Sequence, residues 1–228
     1  MLTVRPLLDH DVESSTQIHL EVLHMEFLAR CGRRFIGHYH RAWLASPHGL
    51  ALACVDGDGR LLGVVLAALD PPMHFRSMVR HHGLRLAFSL LGHAVANPAF
   101  AKTLIATRAV RYSRGLARML VAQLHPGQRA ATATDAQARV GEVTHVMVSA
   151  QAQGRGVGRA LLAEVRRQAA RAGLSELVLV TPPGLDAAGF YEHMGWKRDG
   201  QVTSRSGETF LAYRLPLDDP GGGVTEEV

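Results

Sequence analysis

The chain has 228 residues, of which 47% are hydrophobic, and its formal charge is +5 at pH 7. That content suffices for one sizeable core, and no apolar run approaches the ~18 residues that a membrane span requires. Two cysteines, Cys31 and Cys54, make no disulfide framework, and residues 1–6 show no basic-then-apolar leader, so a cytoplasmic location is expected.

Residues 2–7 read as a first strand, and Asp9 to Asp11 supply caps for the helix that follows. From Val12 to about Ala45, Ile18, Val22, Met25, Phe27 and Leu28 recur at helical spacing. A break at Cys31-Gly32 divides this stretch into two helices, the second carrying Phe35, Tyr39 and Trp43. Two apolar runs, 50–55 and 61–69, flank Asp56-Gly57-Asp58-Gly59, which is a hairpin signal.

A next strand at residues 139–148 follows only after a long interval. Helical patterns over 80–96 and 99–124, punctuated by Asn97-Pro98 and Pro126-Gly127, mark a helical insertion of about residues 72–135. From Pro71 to Thr134 there is no Asp or Glu, while Arg76, Arg80, Arg85, Lys102 and several further arginines fall inside. Three readings of this basic segment stay open. It could be a lid recognising an anionic substrate, a surface for an acidic membrane or partner, or a cap whose arginines are solvated. Nucleic-acid binding is disfavoured, because aromatic residues among the cations are sparse.

The densest signal runs from Val146 to Leu162. An apolar strand ends, Gln153-Gly154-Arg155-Gly156-Val157-Gly158 forms a loop, and a helix begins at once. Glycines allow close backbone approach, and amides at a helix N-terminus attract phosphate. The Walker pattern fails, since Arg159-Ala160 stands where Lys and a hydroxyl residue belong. The dinucleotide fingerprint also fails, because Gly154, Gly156 and Gly158 are spaced two and two. After the helix come a short buried strand at 176–181, the breaker Pro182-Pro183-Gly184, and a short helix ending at Gly195-Trp196.

Gln-x-x-Gly-x-Gly after a strand resembles the acyl-coenzyme A loop of the GNAT N-acetyltransferase superfamily. The downstream run with Ala187, Tyr191, Glu192, Gly195 and Trp196 is similar to that family's second signature, although Gly184 replaces its Asn. The resemblance spans about residues 140–215. It implies an α/β fold with a mixed, mostly antiparallel sheet of six to seven strands flanked by helices, the insertion lying between the third and fourth strands. One domain of residues 1–216 and a flexible tail, 217–228, are expected.

The resemblance also implies acetyl-CoA, or another acyl-CoA, as acyl donor. Backbone groups of Val146, Met147 and Val148 would pair with the pantetheine arm. The pyrophosphate would rest on the amides of Gln153, Gly154, Arg155, Gly156, Val157 and Gly158, with charge from Arg155 or Arg159. Tyr191 takes the role of general acid. Glu142, eleven residues before Gln153, matches the spacing of the base in the histone-acetylating branch. Strand alternation sets Glu142 on the face of Val146 and Val148 and His145 on the other. A buried structural tyrosine and a rim glutamate paired with an arginine are the competing readings.

The remaining histidines, among them His24, His38, His40, His74, His81 and His82, are scattered and singly suggest no catalysis, and no metal is expected. The expected activity is acyl transfer to the amine of a small molecule, by direct attack in a ternary complex. The alternative is an acyl-CoA-binding sensor or interaction module that turns nothing over. A homodimer is left open.

Overall fold

The computed structural model describes residues 1–24, 27–104, 139–183, 187–203 and 209–217. Met25, residues 105–138, Gly184, Ser206-Gly207 and residues 218–228 lie outside the described residues.

Seven strands form one sheet: β1 (Thr3–Pro6), β2 (Gly49–Val55), β3 (Leu61–Ala68), β4 (Val140–Val148), β5 (Glu176–Thr181), β6 (Lys197–Thr203) and β7 (Thr209–Pro216). Their spatial order is β1-β2-β3-β4-β5-β7-β6. Only β4 and β5 run parallel; the other neighbours are antiparallel. Between the third and fourth strands lie α4 (Pro71–Ala96) and α5 (Pro98–Leu104).

The stretch before β2 breaks at Cys31-Gly32 as expected, but it forms three helices rather than two: α1 (Val12–Val22), the short α2 (Phe27–Arg30) and α3 (Arg33–Leu44). Asp11 anchors the entry to α1. Its carboxylate accepts two bonds from the Arg5 guanidinium, at 2.6 and 3.0 Å, and one from the Leu8 amide at 2.9 Å. Burial opposes its charge, but these donors more than offset it and hold Asp11 below the ordinary carboxylate pKa. Helix α4 is longer than its apolar pattern implied. Asp70 accepts from the Met73 amide at 3.1 Å and the prolines at 71 and 72 start the helix. Asn97-Pro98 stops it.

The sheet has a core on each face. On one, α6 (Val157–Arg171) sets Val157, Leu161, Leu162, Val165 and Ala169 against Leu52, Val65, Val143, Leu177 and Leu179. On the other, Ile18 of α1 with Tyr39 and Trp43 of α3 cover Ala53, Val64, Leu66 and Met147. Helix α7 (Ala187–His193) precedes β6. Leu217, read from sequence as the start of the tail, is buried, and its amide donates to the Ser175 carbonyl at 2.8 Å.

Candidate active site

Pairing between β4 and β5 runs from Val140–Glu176 to Val143–Leu179 and then stops. Strand β4 continues to Val148 on β3, while β5 continues to Thr181 on β7. The two parallel strands therefore separate beyond Val143. Among the described residues, the stretch containing Val146, Met147 and Val148 has β3 on one side and no strand on the other. An edge of this kind offers backbone N–H and C=O groups to an extended ligand.

The face assigned to Glu142 from strand alternation is corrected by the structure. Leu66 pairs with His145 and Ala67 with Val143, so Thr144 is an extra residue on β4, a β-bulge. The bulge reverses the phase of the strand. Val143 packs with the α6 core, whereas two residues later His145 lies against His19 of α1 and Tyr39 of α3. Glu142 stands opposite Ala68, a residue of the α1–α3 core. Glu142 and His145 thus share the α1–α3 face, while Val146 and Val148 pack toward α6. Glu142 is half-buried and Thr144 is exposed. Beyond them on β5, Val180 is 50% exposed, so this face of the sheet is open where the strands part.

The loop after β4 is built as its composition implied. Gly154 and Gly156 adopt φ of 72° and 82°, the left-handed region that side chains disfavour. Gly156 is the N-cap of α6, and the first turn of that helix leaves four amides without helical partners. Gln153, Gly154, Arg155, Gly156 and Arg159 are exposed, while Val157 is buried and anchors the helix. Gly158 serves a different need: a Cβ there would lie 3.1 Å from the Phe190 ring. Its absence lets α7 approach the start of α6.

Tyr191 follows Phe190 and packs against the α6-side core, with ring contacts to Trp196 at 6.0 Å and Tyr213 at 5.8 Å. Burial pushes its phenol up to about 12, so it is protonated at neutral pH. Neighbouring Glu192 accepts from the Tyr213 hydroxyl at 3.3 Å. Tyr191 and Glu142 therefore belong to opposite faces of the sheet, on either side of the gap between β4 and β5.

Sequence reading missed a buried polar chain beside β4. The Ser15 hydroxyl donates to the Val12 carbonyl at 3.0 Å and lies 2.7 Å from His40 Nδ1. His40 Nε2 is 3.1 Å from His19 Nδ1. With the hydroxyl proton committed to Val12, His40 carries its proton on Nδ1 and His19 donates from its own Nδ1. Burial, reinforced by the neighbouring histidines, lowers His19 to about 2 and His40 to about 3. Spacing could not reveal the cluster, because its members come from α1, α3 and β4. Among the described residues no group of three or more His, Cys, Asp or Glu could hold a metal ion.

Residues 115–198 match the family model of the acetyltransferase (GNAT) domain. No curated protein matches the chain. Solved structures do. A GCN5-related N-acetyltransferase from Kribbella flavida aligns at 16% identity and TM-score 0.56, covering 95% of this chain and 98% of that one. A histone acetyltransferase HPA2 and related acetyltransferase from Corynebacterium glutamicum aligns at 20% identity and TM-score 0.55, covering 96% and 98%. A spermidine N-acetyltransferase chimera that includes Vibrio cholerae sequence aligns at 12% identity and TM-score 0.58, covering 95% of each. The family model over residues 115–198 and the sheet that splits between its parallel strands agree on one point: the fold is that of the GNAT acetyltransferases.

Proposed function

We infer that this protein transfers an acetyl, or another short acyl, group from acyl-CoA to an amine. The observation that carries the reading is the gap between β4 and β5, which ends at an amide-lined helix start and has Tyr191 on one face and Glu142 on the other. Residues fit the donor: an open strand edge suits a pantetheine arm, and left-handed Gly154 and Gly156 turn loop amides toward a pyrophosphate.

The bound donor would supply a thioester whose carbonyl is open to attack. Glu142 would take the proton from the amine as nitrogen bonds to the carbonyl carbon and the carbon–sulfur bond breaks. Its half-exposed position gives it better access than His145, which is 6% exposed and enclosed by His19 and Tyr39. The Tyr191 hydroxyl would donate to the sulfur. With a pKa of about 12, against about 8.5 for a thiol, complete transfer is uphill. Its contribution is then chiefly a hydrogen bond to developing negative charge.

A small-molecule amine is the favoured acceptor, because α1 and α3 wall the face that Glu142 shares. The test is calorimetric titration with acetyl-CoA, followed by thiol release in the presence of amino sugars, amino acids, polyamines and lysine peptides. Saturable binding and amine-dependent release are expected. An absence of acyl-CoA binding to folded protein would end the reading. Binding without release for any amine would favour a sensor module instead.

A further inference from the structure

Helix α4 is apolar on two faces and packed on one. Toward the sheet, His74 is buried between Ser46 and Trp43, and Met78 and Leu86 pack against the α1–α3 core. On the far side Leu84, Phe88, Leu91 and Val95 are 77%, 70%, 60% and 76% exposed. Their spacing of four, three and four places them in one stripe, about 16 Å long at 1.5 Å per residue. Such a row of large side chains is not the scattered apolar exposure normal for a surface.

The charges at the N-terminal end of the stripe carry one sign. Arg80 lies one turn before Leu84, and His81 and Arg85 flank it; all three are exposed. Neither α4, α5 nor the adjoining α3 contains an Asp or Glu. The cations are close enough to act on one another. Partial burial first, and then Arg41, Arg85 and Arg34, hold His38 of α3 below its ordinary pKa. Burial, followed by Arg85, His81 and His38, does the same to His82.

From this arrangement we propose that the outer face of α4 docks on an anionic lipid surface, with Leu84, Phe88, Leu91 and Val95 entering the headgroup boundary and Arg80 and Arg85 meeting acidic headgroups. A convex helical ridge needs no complementary groove in a lipid interface, whereas a protein partner must provide one. A second copy of this helix would bring arginines to arginines with no carboxylate on either ridge. The docking is peripheral: no described helix is long and apolar enough to cross a membrane. It is independent of the acyl-transfer chemistry.

Sedimentation of the full chain with vesicles of phosphatidylglycerol and phosphatidylcholine in equal parts tests it. Binding should exceed that to phosphatidylcholine alone by tenfold or more and fall with added salt. Phe88→Ser with Leu91→Ser should weaken it by about tenfold per side chain, and Arg85→Glu by about fivefold or more. Without lipid, the melting temperature of the double variant should match the parent, because the replaced side chains are open to water. No binding to the anionic vesicles, or unchanged binding of the double variant, would overturn the proposal. So would a lipid-free dimer that Phe88→Ser abolishes, or a lowered melting temperature showing that the stripe is already covered by the rest of the chain.

Discussion

Glu142 and His145 project from the same face of the sheet, because Thr144 is an extra residue on β4 that meets no partner on β3. Without that bulge, residues three apart would face opposite ways. The phase reversal sets a carboxylate of the last paired rungs before β4 and β5 separate on the α1–α3 side of the sheet, the face away from α6.

Replacing Glu142 with Gln should therefore lower turnover by about a hundredfold to a thousandfold, the usual scale for a lost general base. Acetyl-CoA affinity should hardly change, because the proposed donor contacts are backbone groups elsewhere. Raising the pH should recover part of the rate by supplying unprotonated amine. Thiol release measured across pH, alongside calorimetric titration, checks this; full activity of the Gln variant would remove Glu142 from the chemistry.

Tyr191→Phe keeps the ring packing against Trp196 and Tyr213 and removes only the hydroxyl. Losing a hydrogen bond to developing charge should lower kcat by about tenfold to a hundredfold with little change in KM for the donor. Donors with better leaving groups should narrow the deficit. A variant as fast as the parent with every donor would show the hydroxyl to be structural.

Two glycines of the loop should respond differently to alanine. Gly156 has a φ of 82°, so Gly156→Ala meets a backbone penalty of about 1–2 kcal/mol. A fall in melting temperature of about 2–4 °C per kcal/mol follows for a chain of this size. Acyl-CoA affinity should weaken too, as the amides turn away from the ligand. Gly158 lies inside the helix with an ordinary φ, where alanine is favoured, and the nearest side chain to a Cβ there is the partly exposed Phe190 ring, which can shift by a few tenths of an ångström. Gly158→Ala should leave thermal stability near that of the parent. Equal losses in the two variants would contradict this assignment.

The histidine chain should make folding stability depend on acidity. His19 and His40 are held neutral at about 2 and about 3, against about 6.5 when unfolded. Below pH 6.5 the unfolded chain takes up protons that the folded chain refuses. Stability is thus fully present above 6.5 and is lost as pH falls toward the folded values, by about 1.4 kcal/mol per unit for each histidine. Melting temperature measured between pH 7.5 and about 4.5 should fall steeply, and less steeply in His19→Gln. A flat profile would mean that acid reaches these rings without unfolding.

The residues from Val146 to Trp196 determined much about this protein by themselves. A strand end, a glycine-rich loop, a helix start and a tyrosine on the next short helix are local signals, readable from neighbours a few positions apart. The elements around them were legible for the same reason, down to the helix break at Cys31-Gly32 and the hairpin at Asp56-Gly57. The face of Glu142 was not legible, because a bulge is a mismatch between β4 and β3, which lie far apart in the chain. The histidine chain stayed hidden because His19, His40 and His145 come from three elements and meet only when the two helices pack on the sheet. Nor could α4 declare which apolar face is covered. Both faces have helical spacing, and only its packing on α3 decides that Met78 and Leu86 turn inward while Leu84, Phe88, Leu91 and Val95 remain open to solvent.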